Sequence, residues 1–495
     1  MNGKVKFLFI LCFSFFLVSC QNKSDGNFIA NTSIIPKPQL TQLKEGYLEA
    51  SEFIINENSK FVDHINFFEN QFQNYSQKKG KYFKTGIGEN LIVNVNSEDL
   101  QIKGNYKLKV DEEKILIEGN QMGIFYGFQT LFQLILLNNE NFKENFKIPC
   151  LEIQDSSSFS HRGFLMDCCR HFFSVETIKK YIDLLAFYKM NTLHWHLTED
   201  QGWRIEIDKY PKLNSIASSR IEPNGDIYKG IYTKKDIREI VEYALKKNIT
   251  IIPEIELPGH SQAAIAAYPK LSCNKEKIPV ANDWGVFKEI YCAGNEDVFM
   301  FLEDVFTEVI ELFPSKYIHI GGDEVPKIRW ENCQKCQKRI HDNGLLDEHQ
   351  LQNYFIKRIQ KFLNSKGREI IGWDEIIEDG EISGALIQSW RGVEHAIKGL
   401  EAGNSVIMSP TSHSYLDYDL KSIDLKKIYL FDPIPSELKS RFRDQILGGE
   451  CNIWTEHVPN VGVLDNKVFP RMIGMAEALW SHGMKNFEEF LTLPA

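Results

Sequence analysis

Long runs of lysine and arginine are missing from this 495-residue chain, and so, beyond its first twenty residues, are hydrophobic stretches long enough to cross a membrane. The first absence, together with a formal net charge of −10, argues against a nucleic-acid partner, because displacing counterions from a polyanion needs a basic surface. The second leaves no internal segment that reads as a transmembrane helix, which takes about 20 apolar residues. Metal-ligand patterning is also sparse. The lone CxxC, Cys333 and Cys336, has no second ligand pair at an evident zinc-site spacing, so a local disulfide or two helix-face cysteines is favoured. His194 and His196 in "HWH" can face one way on a strand, but only His319 lies within a later apolar run, which leaves a metal centre short of ligands. No metal and no cofactor is expected.

Core material is plentiful. Hydrophobic residues make up 43% of the chain and aromatics 12%, enough for a large core and, by length, two or three domains. The first residues read as a secretory leader: Lys4 and Lys6 precede residues 7–18, which are apolar apart from Ser14. The run ends in "LVSC", which resembles a bacterial lipobox with Cys20 as the lipidated first residue of the mature chain. Residues 21–33 would then be a tether. The expectation is a cell-envelope lipoprotein, periplasmic or surface-exposed, touching the membrane only through a lipid on Cys20. Of ten cysteines, eight remain after residue 20, and disulfides are possible outside the cytoplasm. Cys273 and Cys292 flank a polar loop and are the suspected pair, whereas Cys168 and Cys169 sit in an apolar run as core.

Residues 34–155 read as a small α+β domain. "EFIIN" and "NLIVNVN" have strand character, "YKLKVDEEKILIEG" reads as a hairpin about a charged turn, and "MGIFYGFQTLFQLILL" is an apolar helix to pack on that sheet. From 156 to 495 the pattern becomes short apolar runs separated by amphipathic helices, as in a parallel sheet buried on both faces. There are eight: "GFLMDCC", "TLHWHLTE", "ITIIPEIE", "YIHIGGDE", "EIIGWDE", "GALIQSW", "SVIMSPT" and "QILGGECNIW". The fold class expected is α/β, a (β/α)8 TIM barrel preceded by the small α+β domain. Ser174 is placed to cap a helix over 174–189, Thr233 and Asp236 have capping-box spacing, and Gly367 closes a helix begun near Asp347. Helices after runs five to seven are less distinct.

Barrel active sites lie at the C-terminal ends of the strands. Run by run, those ends carry Arg170 and His171, Glu199 and Asp200, Glu256 and His260, Asp323 and Glu324, Trp373 and Asp374, Trp390 and Arg391, Tyr415 and Asp417, and Trp454 and Glu456. Charge gathered at one edge of eight strands implies one pocket. Carboxylates that accept from hydroxyls, beside indoles that cover C–H faces and keep water out, suit a sugar.

Glycoside hydrolysis ordinarily uses two carboxyls flanking the scissile bond. Asp323 and Glu324 are adjacent and cannot easily straddle a sugar ring. A 2-acetamido sugar carries its own nucleophile, the acetamide oxygen, at high effective molarity. Glu324 would then protonate the leaving oxygen and later activate water, while Asp323 orients the acetamide and offsets the charge of an oxazolinium. The neighbouring carboxylate should raise the pKa of Glu324, as a proton donor needs.

These residues also carry a resemblance. "RGFLMDCCRHFF", "NTLHWHLTEDQGWRIEI", "PEIELPGHSQA", "HIGGDEV", "GWDE", "IQSWRG" and "NIWTEHV" resemble the family 20 glycoside hydrolases, the β-N-acetylhexosaminidases, over about residues 35 to 480. The resemblance implies that Asp323 and Glu324 are the acetamide-orienting acid and the general acid/base. It implies that Arg170 binds the 3- and 4-hydroxyls, that Asp417 and Glu456 hold the 6- and 4-hydroxyls, and that Tyr415 bonds the acetamide carbonyl. Trp373, Trp390 and Trp454 would wall the pocket, and Glu199 and His260 would support the general acid. Where the family often has two aspartates this chain reads "TED", so Glu199 reaches one methylene further. Arg162 falls at a strand start and reads as structural. The expected ligand is an oligosaccharide or glycoconjugate ending in N-acetylhexosamine. Two rivals stand beside this reading: a metal-dependent barrel hydrolase using His194 and His196, and a non-catalytic hexosamine-binding lipoprotein.

Overall fold

The computed structural model describes residues 28–493, apart from 56–61, 77–82, 86–89, 96–103, 140–144, 379, 381, 435–439, 482 and 484. The leader and lipobox, and residues 21–27 of the tether, lie outside the described residues.

Seven strands form the N-terminal sheet, in the spatial order Leu40–Ala50, Phe146–Asp155, Tyr106–Val110, Ile115–Gly119, Leu91–Val95, Phe53–Ile55 and Phe83–Thr85. The hairpin read from the sequence is the antiparallel pair Tyr106–Val110 and Ile115–Gly119. Its charged turn is tied by Asp111, whose side chain accepts from the backbone N–H of Glu113 and Lys114. The apolar helix is Gln121–Asn138, capped by Asn120 through the Gly123 N–H at 2.8 Å. It packs on the sheet and on the helix Val62–Ser76, with Phe68 and Phe72 set against Phe132 at ring separations of 5.9 and 5.3 Å.

All eight apolar runs are strands of one closed parallel barrel: His161–Asp167, Thr192–His196, Thr250–Leu257, Tyr317–Gly321, Glu369–Trp373, Leu386–Ser389, Ser405–Met408 and Ile446–Ile453, the last pairing back to the first. The first two are buried at every position, which is why they read as continuous apolar stretches. Between them runs the helix Val175–Phe187, capped by Ser174 and burying Ile178, Tyr181, Ile182 and Leu185 on the barrel side. The helix Lys234–Leu245 carries the capping box of Thr233 and Asp236, and Gly367, at φ +74°, follows Glu348–Ser365. The fifth strand leads only into a 3-10 turn, Asp374–Ile377, before the sixth begins.

The α+β domain meets the N-terminal end of the barrel through buried polar groups. Asp155 accepts from Tyr106 Oη at 2.7 Å, Lys189 Nζ at 3.1 Å and Trp480 Nε1 at 2.9 Å. Arg162 donates to the carbonyls of Phe159 and Lys189 and to Tyr126 Oη, so the structural reading of this arginine holds.

The cysteines depart from expectation. No disulfide joins Cys273 to Cys292; the eight cysteines among the described residues are all free thiols. The loop ends converge on the CxxC as well as on each other, with sulfur separations of 3.8 Å for Cys273–Cys336 and 3.7 Å for both Cys292–Cys333 and Cys292–Cys336. The sequence hid this arrangement because the partners of the CxxC lie about 60 and 40 positions upstream.

Candidate active site

Two buried glutamates, Glu254 on the third strand and Glu450 on the eighth, form the floor of the barrel. Parallel register sets Glu254 beside His196 on one neighbouring strand and His319 on the other. Glu254 takes His194 Nε2 at 3.1 Å, His319 Nδ1 at 2.7 Å, Trp373 Nε1 at 3.0 Å, and His196 Nδ1. Glu450 takes His194 Nδ1 at 2.8 Å, His161 Nε2 at 2.9 Å and Gln388 Nε2 at 2.8 Å. Burial by itself would strip the proton from His194 and His196, but the glutamates outweigh it and hold them up at about 9 and about 10. The "HWH" nitrogens are therefore engaged by carboxylates, His196 Nε2 reaching Glu199 at 3.2 Å.

Above this floor, Glu199 is the hub that joins three strand ends. Its Oε2 lies 3.0 Å from Arg170 Nη2, and its Oε1 accepts from His260 Nδ1 and from the Asp200 N–H, both at 2.8 Å. Burial would raise its pKa, yet Arg170 and His260 hold it well below the usual carboxylate range. Glu199 of "TED" thus spans from Arg170 to His260. Arg170 is itself aimed by Asp167, lies 3.9 Å from Glu456 and stacks 5.2 Å over Trp454. Asp167 also accepts from the backbone of Cys169, Arg170 and Thr455, stitching the first strand end to the eighth.

His260 faces the acidic pair. Its Nε2 is 3.6 Å from Asp323 Oδ2 and 3.6 Å from Glu324 Oε2. His260 at φ +46° and Glu324 at φ +48° both adopt left-handed backbone, a conformation disfavoured for such residues and concentrated at functional sites. Gly321, just before the acidic pair, is itself at φ +65°, and a Cβ there would stand 1.7 Å from Glu256 Oε2. Glu256, beside the pair, is pushed well above the usual carboxylate range by burial and then by Asp323 and Glu254. One expectation is corrected here. The pKa of Glu324 is lowered, because its interaction with the His260 imidazole, 3.6 Å away, outweighs the effect of burial, which would raise it.

The remaining strand ends supply walls. Trp373 is buried and packs 5.9 Å from Trp454, while Trp390 and Tyr415 lie nearly parallel at 6.4 Å. Trp390 is held from behind by Glu375, which accepts its Nε1–H at 2.8 Å and is raised to about 9 by burial and by Asp323. Asp374 fixes the same turn through the N–H groups of Trp390 and Arg391. Asp417 is raised to about 7, first by burial and then by Glu456. Arg170, Glu199, His260, Asp323, Glu324, Trp373, Trp390, Tyr415, Asp417, Trp454 and Glu456 thus lie at one end of the barrel. Sequence reasoning did not single out Glu254, Glu450, Asp167 or Glu375; the available signal was an acid inside or directly after an apolar strand.

A closed (β/α)8 barrel whose strand ends gather carboxylates and indoles around a histidine-bridged acidic pair defines a barrel of the glycoside hydrolase type. Residues 159–483 match the catalytic domain of glycosyl hydrolase family 20, and residues 31–156 match domain 2 of that family. The chain belongs to glycosyl hydrolase family 20. It is 44% identical over 402 residues to a "Beta-hexosaminidase" of Porphyromonas gingivalis, covering 78% of this chain and 52% of that protein. A "Beta-hexosaminidase" of Vibrio furnissii is 34% identical over 404 residues, covering 76% of this chain and 65% of that protein. The chain thus spans between half and two thirds of these relatives. Among solved structures, the GH20 exo β-N-acetylglucosaminidase of Vibrio harveyi in complex with N-acetylglucosamine superposes with a TM-score of 0.85 at 29% identity, over 95% of this chain and 77% of that one.

Proposed function

We propose that the protein is an exo-acting β-N-acetylhexosaminidase that removes terminal N-acetylhexosamine with retention, using the acetamide of the substrate as nucleophile. The observation that carries this reading is the position of Asp323 and Glu324: adjacent in sequence, at the end of one strand, and both 3.6 Å from a single imidazole nitrogen. Such a pair serves one side of a sugar ring, so the attacking atom comes from the ligand. Glu324 gives its proton to the leaving oxygen and later takes one from water, while Asp323 holds the acetamide N–H and offsets the oxazolinium charge. Since His260 holds Glu324 low in the free site, the proton is taken up as sugar desolvates the pocket. Asp323 Oδ1, Asp417 Oδ1 and Arg170 Nε are buried with no hydrogen-bond partner among the described residues, which suits them to substrate polar groups. Trp373, Trp390, Tyr415 and Trp454 are the walls, and Glu456 with Asp417 and Arg170 closes around the non-reducing end. The Vibrio harveyi neighbour, an exo β-N-acetylglucosaminidase bound to N-acetylglucosamine, supports the same substrate class.

The leader and "LVSC" support an envelope lipoprotein anchored at Cys20; among the described residues no helix is long and apolar enough to cross a membrane. Nitrophenyl N-acetyl-β-glucosaminide and N-acetyl-β-galactosaminide are compared with the plain β-glucoside to test the function. Hydrolysis of the acetamido sugars alone, with inhibition by a thiazoline analogue of the intermediate, is expected. Equal turnover of the plain glucoside would refute it.

A further inference from the structure

We propose that Cys273, Cys292, Cys333 and Cys336 form a structural zinc site that fastens together the two loops carrying His260 and the acidic pair. The four sulfurs all lie within 4.8 Å of one another, with Cys273–Cys336 at 3.8 Å and Cys292–Cys333 and Cys292–Cys336 both at 3.7 Å. A zinc ion bound to four thiolates at about 2.3 Å in a tetrahedron sets its sulfurs about 3.8 Å apart. A disulfide brings two sulfurs to about 2.05 Å and has no reason to hold a third and fourth at van der Waals distance. The arrangement is thus that of a tetrahedral four-thiolate cage.

The surroundings suit a bound thiolate cluster. Cys333 is the N-cap of the helix Gln334–Asp342, where backbone N–H groups favour negative charge, and Cys336 lies within its first turn. The backbone N–H of Gly294 bonds to Cys292. Lys275 and Lys335 border the same crevice, offsetting the net double negative charge of zinc with four thiolates. Cys292, Cys333 and Cys336 are buried and Cys273 is partly so, which leaves no open coordination position of the kind a catalytic zinc keeps.

The consequence for the active site follows from where the four residues sit. Cys273 and Cys292 belong to the long connection after the third strand, which starts at Pro258 and His260. Cys333 and Cys336 belong to the connection after the fourth strand, which starts at Asp323 and Glu324. The connections touch near the site, where a Cβ on Gly259 would be 3.1 Å from the Asp323 carbonyl. They are joined again by Trp330 Nε1 donating to the Tyr291 carbonyl at 2.9 Å, with the Tyr291 N–H bonded to the Pro258 carbonyl at 3.0 Å. Zinc at the far end completes the clamp. It holds His260 against the acidic pair and takes no part in bond breaking.

The full chain, purified without chelator, is assayed by elemental mass spectrometry and by thiol alkylation before and after denaturation in chelator. About one zinc per chain is expected, with the four thiols protected until the metal is removed. The double variant Cys273→Ser/Cys336→Ser should lose the zinc and melt at lower temperature, whereas Cys150→Ser, in the N-terminal sheet, keeps it. If the double variant does not fold, the metal content and thiol count of the natural chain still decide. Metal-free protein with two disulfides among these cysteines, or with four thiols freely alkylated, would overturn the proposal, and one iron per chain would overturn the assignment to zinc.

Discussion

His260 Nδ1 lies 2.8 Å from Glu199 Oε1, so a buried carboxylate holds the imidazole that meets the acidic pair through its other nitrogen. The carboxylate keeps the ring protonated, well above its ordinary value, and the cation in turn lowers Glu324. A cation beside a carboxyl favours its ionised form, so removing the cation must raise the pKa of that carboxyl. In His260→Asn the alkaline limb of the kcat/KM profile, where Glu324 loses its proton, should move to higher pH while kcat falls. A limb that stays in place would take His260 out of contact with the general acid.

Replacing Glu324 by Gln keeps the shape and removes the proton. Loss of general acid catalysis is expected to lower kcat by roughly 10²–10⁴-fold for a poor leaving group. A dinitrophenyl leaving group needs no protonation to depart, so cleavage of that substrate should fall far less. Equal losses for both substrates in steady-state assays would assign Glu324 another task.

Asp417 is raised to about 7 by burial and by Glu456, and as a ligand for sugar hydroxyls it acts as an anion that accepts. Protonation below that pH removes an acceptor. KM should therefore rise as pH falls through about 7, and Asp417→Asn should show a high KM with this dependence abolished. A flat KM across that range in the natural chain would contradict the assignment.

The barrel was legible because parallel strands buried on both faces leave near-continuous apolar runs, and all eight were read. The N-terminal strands Leu40–Ala50 and Phe146–Asp155 were not read. The first has exposed positions along most of its length, so it carries no clear alternation. At the site, residues at strand ends stood out because charge there breaks an apolar run. Glu254 and Glu450 sit inside such runs, and their role depends on which neighbouring strand brings which histidine, a matter of register that no local pattern records. The cysteine cluster was hidden for a similar reason: two connections must fold before its four sulfurs become neighbours.

Gly321 lets the fourth strand turn its acids toward His260. Its φ of +65° disfavours any side chain, and an alanine Cβ would press on Glu256. Gly321→Ala should lose at least about 1–3 kcal/mol of stability from conformation alone, with activity falling through displacement of Asp323 and Glu324. Thermal melting and kcat measured together check this; an unchanged melting point would show that the turn has room to relax.

Lys189 and Asp155 are paired at 3.1 Å with both side chains fully out of solvent, where the α+β domain meets the barrel. Removing one member of such a pair leaves the other charge buried without its counterion, at a cost of about 3–5 kcal/mol, whereas removing both charges relieves most of that penalty. Lys189→Met should therefore lower the melting temperature sharply, and Lys189→Met/Asp155→Asn should recover much of the loss. The site lies at the opposite end of the strands, so KM below the melting range should be the same for all three chains. If the double variant melts no higher than the single one, the hydrogen bonds of Asp155 to Tyr106 and Trp480, rather than its charge, hold the two domains together.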